Sequence, residues 1–188
     1  MKKEIVTICG SLGSGKSSTA DLVAQRLGYK RFSSGDFFRQ VGIELGLSVT
    51  ETNKRAETDP KIDEMTDQKL RDLNSAEKIV IDSRTAYHWI PDSFKVYLDL
   101  SAEIAQERIL NNLKVNKSRQ QSEKESTLEE VYQKMRERFE SEQKRYWDLY
   151  KIDNKDKNNF DLVIDTDRNN LEQVVDIVVS EYKKWREN

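Results

Sequence analysis

Short apolar runs recur at residues 4–9, 29–32, 78–82, 94–100 and 160–165, each too short for a buried helix and each bounded by turn-forming or polar residues. Longer segments with apolar residues three and four apart lie between them, the period of a helix with one buried face. Parallel strands need crossover connections and helices supply them, so the alternation predicts an α/β fold with a parallel sheet covered on both faces. Two stretches depart from that plan. Residues 37–74 are nearly all helical in pattern, with Asp59-Pro60 suited to a helix start. Residues 111–127 are rich in Asn, Gln, Ser, Lys and Glu with almost no apolar anchor, and read either as a mobile surface segment or as a plain disordered loop. Ile90-Pro91-Asp92 suits a turn into the fourth strand, and residues 170–185 read as a final helix covering the last strand.

The segment 128–150 carries the most information. At about 100° per residue, Leu128, Tyr132, Met135, Phe139, Tyr146 and Leu149 fall in one stripe, the mark of a helix docked on a core. Arg138 and Arg145 share a neighbouring face, roughly 10.5 Å apart along the axis, so both can reach one cleft. Glu142 lies between them, spaced to hold an arginine head. A solvated helix laced with Glu-Arg pairs is the plainer reading of the same spacing.

Composition narrows the function classes. Charged residues make up 35% of the 188 and hydrophobic ones 36%, enough for one economical core and no more. Lys and Arg number 32 against 34 Asp and Glu, a balance that gives no basic footprint for nucleic acid. No window approaches the roughly 18–20 apolar residues of a membrane span. The first apolar run, ended by Gly10, is shorter than the about 7–15 residues of a signal-peptide core; the expected location is the cytoplasm. One cysteine, Cys9, and one histidine, His88, can form neither an internal disulfide nor a metal cage.

Gly10-Ser11-Leu12-Gly13-Ser14-Gly15-Lys16-Ser17 matches G-x-x-x-x-G-K-[ST] in full, after a predicted strand and before a helix that includes Ser18 and runs to residue 27. The glycines let backbone N–H groups converge on phosphate oxygens, and the helix N-terminus adds a positive end. Lys16 is expected to neutralise the β and γ phosphates, and the Ser17 hydroxyl to ligate the bridging magnesium. A GTPase would carry Asn-Lys-x-Asp after a late strand; Asn154-Lys155-Asp156 has the wrong spacing and precedes the last strand. A small-molecule kinase fits the length.

The acceptor side is expected at two further places. Ser33-Ser34-Gly35-Asp36-Phe37-Phe38-Arg39 is a turn that opens a helix with hydroxyl, amide and guanidinium groups close together. The third predicted strand ends in Asp82, with Ser83 and Arg84 beyond its carboxyl end, where ligands bind in parallel sheets. Asp82 could hold a magnesium-bound water and Arg84 could fork onto a phosphate. Taken singly, a helix cap and a surface arginine explain these residues as well.

With these residues assembled, the chain resembles the cytidylate kinase family, in its compact archaeal-type branch, within the nucleoside monophosphate kinases. The likeness rests on the phosphate loop, Ser-x-Gly-Asp-x-Phe-Arg at 33–39, Asp82 with Arg84, Glu107-Arg108-Ile109, and Arg138-x-x-x-Glu142-x-x-Arg145-Tyr146. It implies a P-loop NTPase three-layer fold in a single domain, 1–188, with sheet order 2-3-1-4-5. It further implies a helical monophosphate-binding lobe at 37–74 and a lid at 111–127. The implied reaction is phosphorylation of CMP or dCMP by ATP with Mg2+, in a monomer acting on small-molecule nucleotides. Ser34, Arg39 and Arg84 would hold the acceptor phosphate, with Asp36 and Glu142 inside the same motifs, and Arg138 and Arg145 would close on both phosphates. Two departures stand out: Ser83 where the family commonly has glycine, and Asn111-Asn112 where it often has a cation. The base reader is unmarked, with Phe38, Asp63 and Tyr87 as candidates. A P-loop kinase of another nucleotide or small metabolite, and a catalytically silent nucleotide-binding module, stay open.

Overall fold

The computed structural model describes residues 2–115 and 127–188. Five strands form one sheet, β1 (Ile5–Gly10), β2 (Lys30–Ser33), β3 (Ile79–Asp82), β4 (Phe94–Asp99) and β5 (Leu162–Asp165), in the order β2-β3-β1-β4-β5. Every pairing is parallel, with Ile8 opposite Asp82 and Val96 in the central register. All five expected strands are present, and so is the expected order.

Both faces of β1 are buried, as a central parallel strand requires. Val6 and Ile8 join Val80, Val96 and Leu98 on one face. That face is covered by α1 (Lys16–Leu27) through Ala20, Val23 and Ala24, and by α8 (Leu171–Glu187) through Val174, Val175, Val178 and Tyr182. On the other face Ile5, Ile79 and Ile81 meet Leu70, Ala86 and Ile90. Each fully buried aliphatic side chain contributes about 1.5–3 kcal/mol, so the alternation within one short strand fixes which helices go to which side.

Between β2 and β3 the chain leaves the sheet as α2 (Ser34–Glu44), α3 (Val49–Ala56) and α4 (Lys61–Asp72), which build the helical excursion expected at 37–74. Its small core is Val41, Ala56 and Ile62, with Phe38 and Met65 against it. Gly42 lets α2 and α3 cross closely, since a Cβ there would meet Thr52 Oγ1 at 2.4 Å. Ser48 and Glu51 cap α3 reciprocally. α4 buries Ile62 and Leu70, and also three polar side chains, Asp63, Thr66 and Asp67.

After β3 come the short α5 (Ala86–Trp89), β4 and then α6 (Ala102–Val115). Of the expected lid, residues 111–115 belong to α6, because Ile109 and Leu113, four apart, continue its buried face. Residues 116–126 lie outside the described residues. Thr127 caps α7 (Leu128–Tyr150), paired reciprocally with Glu130, so the helix begins where the apolar stripe begins. Among the described residues no helix is long and apolar enough to cross a membrane. α7 spans the carboxyl ends of the strands, and its most buried residues are Tyr132 and a charged one, Glu142.

Candidate active site

At the end of β1 the chain turns back so that α1 can start at Lys16. Gly10 makes that possible: its φ is +154°, and a Cβ would meet Leu98 O at 2.4 Å and Ser14 Oγ at 2.9 Å. Ser11 N–H donates to Leu98 O at 3.0 Å and Ser14 N–H to Ser11 O at 3.3 Å, fixing the loop. Leu12 anchors it from beneath on Ile109, Leu113 and Tyr132. The Ser14 hydroxyl is buried without a hydrogen-bond partner. Gly13, Gly15, Lys16, Ser17 and Ser18 open onto a cavity of about 470 Å³ whose other walls include Ile109, Asn112 and Met135.

Lys16 folds back over the loop, its Nζ donating to Gly10 O at 3.3 Å and Ser11 O at 3.4 Å. Loss of water, then the neighbouring Arg84 charge, push its pKa down to about 8. A lysine held this way gains its full charge when phosphate arrives beside it. Next in the loop, Ser17 Oγ donates to Asp82 Oδ2 at 2.6 Å, and Arg31 Nη2 lies 3.3 Å from the same oxygen. Among the described residues no three metal-ligating acidic, histidine or cysteine side chains cluster. A divalent ion at this point would have the Ser17 hydroxyl and the Asp82 carboxylate from the protein and its other ligands from phosphate and water, a donor set that suits magnesium.

A narrow cleft beside the loop is lined by Ser34, Gly35, Phe38 and Arg39 of α2, Val49, Thr66 of α4, Arg84, and Arg138, Glu142, Arg145 and Tyr146 of α7. Ser34, Arg39, Arg84, Arg138, Glu142 and Arg145 are thus brought together. Asp36 is not among the lining residues; half exposed, it pairs with Arg39 and, at 3.7 Å, with Arg31. Phe38 is on the cleft wall, whereas Tyr87 donates its hydroxyl to Asp153 O, and Asp63 is turned to Arg145.

The cations of the cleft are matched in advance by carboxylates. Glu142 accepts from Arg84 Nη1 and, at 3.0 Å, from Arg138 Nε. Burial alone would raise the Glu142 carboxyl, but Arg84, Arg138 and Arg145 more than offset it and hold it below the usual carboxylate range. Arg84 also lies 4.7 Å over the Phe139 ring, and its Nε is buried without a partner. Burial disfavours its charge while Glu142 restores it, with a net upward shift. Arg138 is half exposed and Arg145 only 11%.

Comparison with known proteins decides the lineage. The model of the cytidylate kinase-like family matches residues 5–168. The chain is 35% identical over 185 residues to a cytidylate kinase of Natronomonas pharaonis, covering 95% of this chain and 90% of that one. The chain belongs to the cytidylate kinase-like family. It is a phosphotransferase. A second relative, an S-adenosylmethionine-dependent nucleotide dehydratase of Lacinutrix mariniflava, is 33% identical over 97% of this chain, which spans only 36% of that longer protein. The shikimate kinase of Acinetobacter baumannii in complex with shikimate superposes with a TM-score of 0.63 over 97% of this chain and 94% of its own at 15% identity, a likeness of fold.

Of the two departures of this cytidylate kinase-like chain, the one at Ser83 has a local explanation. Ser83 is buried, and its Oγ accepts from Thr85 N at 3.1 Å and Ala86 N at 3.2 Å, capping the turn that carries Arg84. Asn112 faces the phosphate-loop cavity as a neutral group. Phe139 reads in the sequence as part of the core stripe, and in the structure it is also the platform under Arg84. The signal was its spacing of three from Glu142, which brings both to one guanidinium. Thr66, on the cleft wall, carries no sequence signal.

Proposed function

We propose that the protein transfers the γ-phosphoryl group of ATP to the 5′-phosphate of CMP or dCMP, giving ADP and the cytidine diphosphate. The observation that carries this reading is the close joining of two anion sites: Ser17 of the phosphate loop bonds Asp82, and Arg84, two residues on, lines the arginine-rich cleft. Cytidylate kinases among its relatives support CMP as the acceptor, and the nucleotide dehydratase relative supports a nucleotide site.

The donor would lie along Gly10, Ser11, Leu12, Gly13, Ser14 and Gly15, with Lys16 on its terminal phosphates and Ser18 at the helix start. Ser17 and Asp82 would hold Mg2+, which neutralises phosphate charge when bound. Ser34, Arg39 and Arg84 would receive the acceptor phosphate, Glu142 keeping Arg84 and Arg138 in register, and Arg138 and Arg145 would flank the transferred group. The acceptor phosphate has a second pKa near ~6 and is largely ionised at neutral pH, so it needs no general base. Its attack needs charge neutralisation and alignment, which the four arginines and Lys16 supply. His88, exposed on α5, has no part in it. We assign the protein to the cytoplasm as a monomer.

Lys16→Ala and Arg138→Ala should each lower the single-turnover rate by at least ~100-fold, the range for one lost charge-stabilising donor. Rapid-quench measurement of ADP formation checks this, and near-normal rates in either variant would remove that residue from its role.

A further inference from the structure

Asp63 stands on α4, in the helical excursion, and its side chain is 2% exposed. It receives Arg145 Nε at 2.7 Å on one oxygen and Nη2 at 3.4 Å on the other, while Ser141 Oγ takes Nη1 at 2.9 Å. All three guanidinium nitrogens of Arg145 are therefore held, two of them by a different element. Arg138, seven residues earlier, is held among the described residues through Glu142 on its own helix and is half exposed. One arginine of the pair can follow a moving phosphate and the other is fixed.

The fixed one joins two walls of the acceptor cleft. α4 supplies Thr66 to that cleft and α7 supplies Arg138, Glu142, Arg145 and Tyr146, so the Asp63–Arg145 pair ties these walls together. A buried ion pair is often no more stabilising than apolar residues of equal volume, and what this one supplies is a fixed place for Arg145 against α4. Burial raises the Asp63 carboxyl, and the Arg145 guanidinium, donating to both its oxygens, works against that rise.

We infer that Asp63 is a positioning residue for the acceptor: it sets Arg145 and joins α4 to α7, so that the site for the monophosphate is shaped before the acceptor enters. This rests on the reading of the protein as a CMP kinase. In Asp63→Asn, assayed as the full chain, the KM for CMP should rise at least tenfold and kcat should fall, while the KM for ATP stays within twofold. Asp63→Glu, which keeps a carboxylate, should recover part of the loss. Because Asp63 acts through Arg145, Asp63→Asn added to Arg145→Gln should cost nothing beyond Arg145→Gln alone. If Asp63→Asn does not fold, the double variant, which leaves no buried charge unpaired, is compared with Arg145→Gln instead. An unchanged CMP KM in Asp63→Asn, an equal rise in the ATP KM, or losses that multiply in the double variant would overturn the inference. A wild-type protein that does not turn over CMP would instead overturn the kinase reading itself.

Discussion

Asp67 illustrates how much a single buried carboxyl can contribute. It sits on α4 one turn from Asp63, with Thr85 Oγ1 donating to it at 3.1 Å. Burial lifts its pKa from 3.8 to about 6, and the hydrogen bond from Thr85 pulls only part of the way back. A carboxyl whose folded pKa lies above its unfolded one binds its proton more tightly in the native state. Its stabilisation is complete below about pH 4 and is lost as pH rises through about 6, a swing of at most about 3 kcal/mol. Asp67→Asn removes that titration. The stability difference, variant minus wild type, should therefore rise from about pH 4 and level off above about pH 6, with its midpoint near 5, in urea unfolding curves. A flat difference would mean that Asp67 ionises normally. Lys16 is the opposite kind of residue, a cation pushed down to about 8 by lost hydration and by Arg84, and relieved by the ligand it serves.

Elements position these residues, and the phosphate loop depends on close contact between two strands. Gly10→Ala would drive a Cβ to 2.4 Å from the Leu98 carbonyl, a backbone atom that cannot turn aside. The loop would have to lift. We expect a lowered melting temperature and an ATP KM raised at least tenfold, read by thermal unfolding and steady-state kinetics; an unchanged ATP KM would show that the loop tolerates the shift. The strands, the loop and α7 were legible in the sequence because each is written locally, in a run of apolar residues, a glycine spacing or a stripe closed by Thr127 and Glu130. What was not legible depends on tertiary partners. Nothing near Asp63 in sequence marks Arg145, 82 residues away, as its partner. Tyr87 reads as a candidate base reader in the sequence, whereas its hydroxyl donates to Asp153 O. Residues 111–115 read as part of the mobile or disordered segment because their Asn and Lys outweigh the buried Leu113 that keeps them helical.

At the scale of the whole molecule, the parallel sheet brings the phosphate loop and the arginine-lined cleft, the donor and acceptor sites of the proposed reaction, to the carboxyl ends of neighbouring strands. β1 ends in the phosphate loop and β3 ends in Asp82 and Arg84, with Ile8 and Asp82 directly opposite in the register. α7 lies across both, and its Glu142 and the Asp63 of α4 hold arginines that would otherwise repel one another in an empty cleft. On the proposed reading, this arrangement brings two phosphates together. The measurement that tests this most directly is coupled ADP release with Mg-ATP against CMP, dCMP, UMP, AMP and GMP, each beside an acceptor-free blank. Fast release with CMP or dCMP and slow release with the others is the result expected; ATP binding without acceptor-dependent release from any of the five would contradict it.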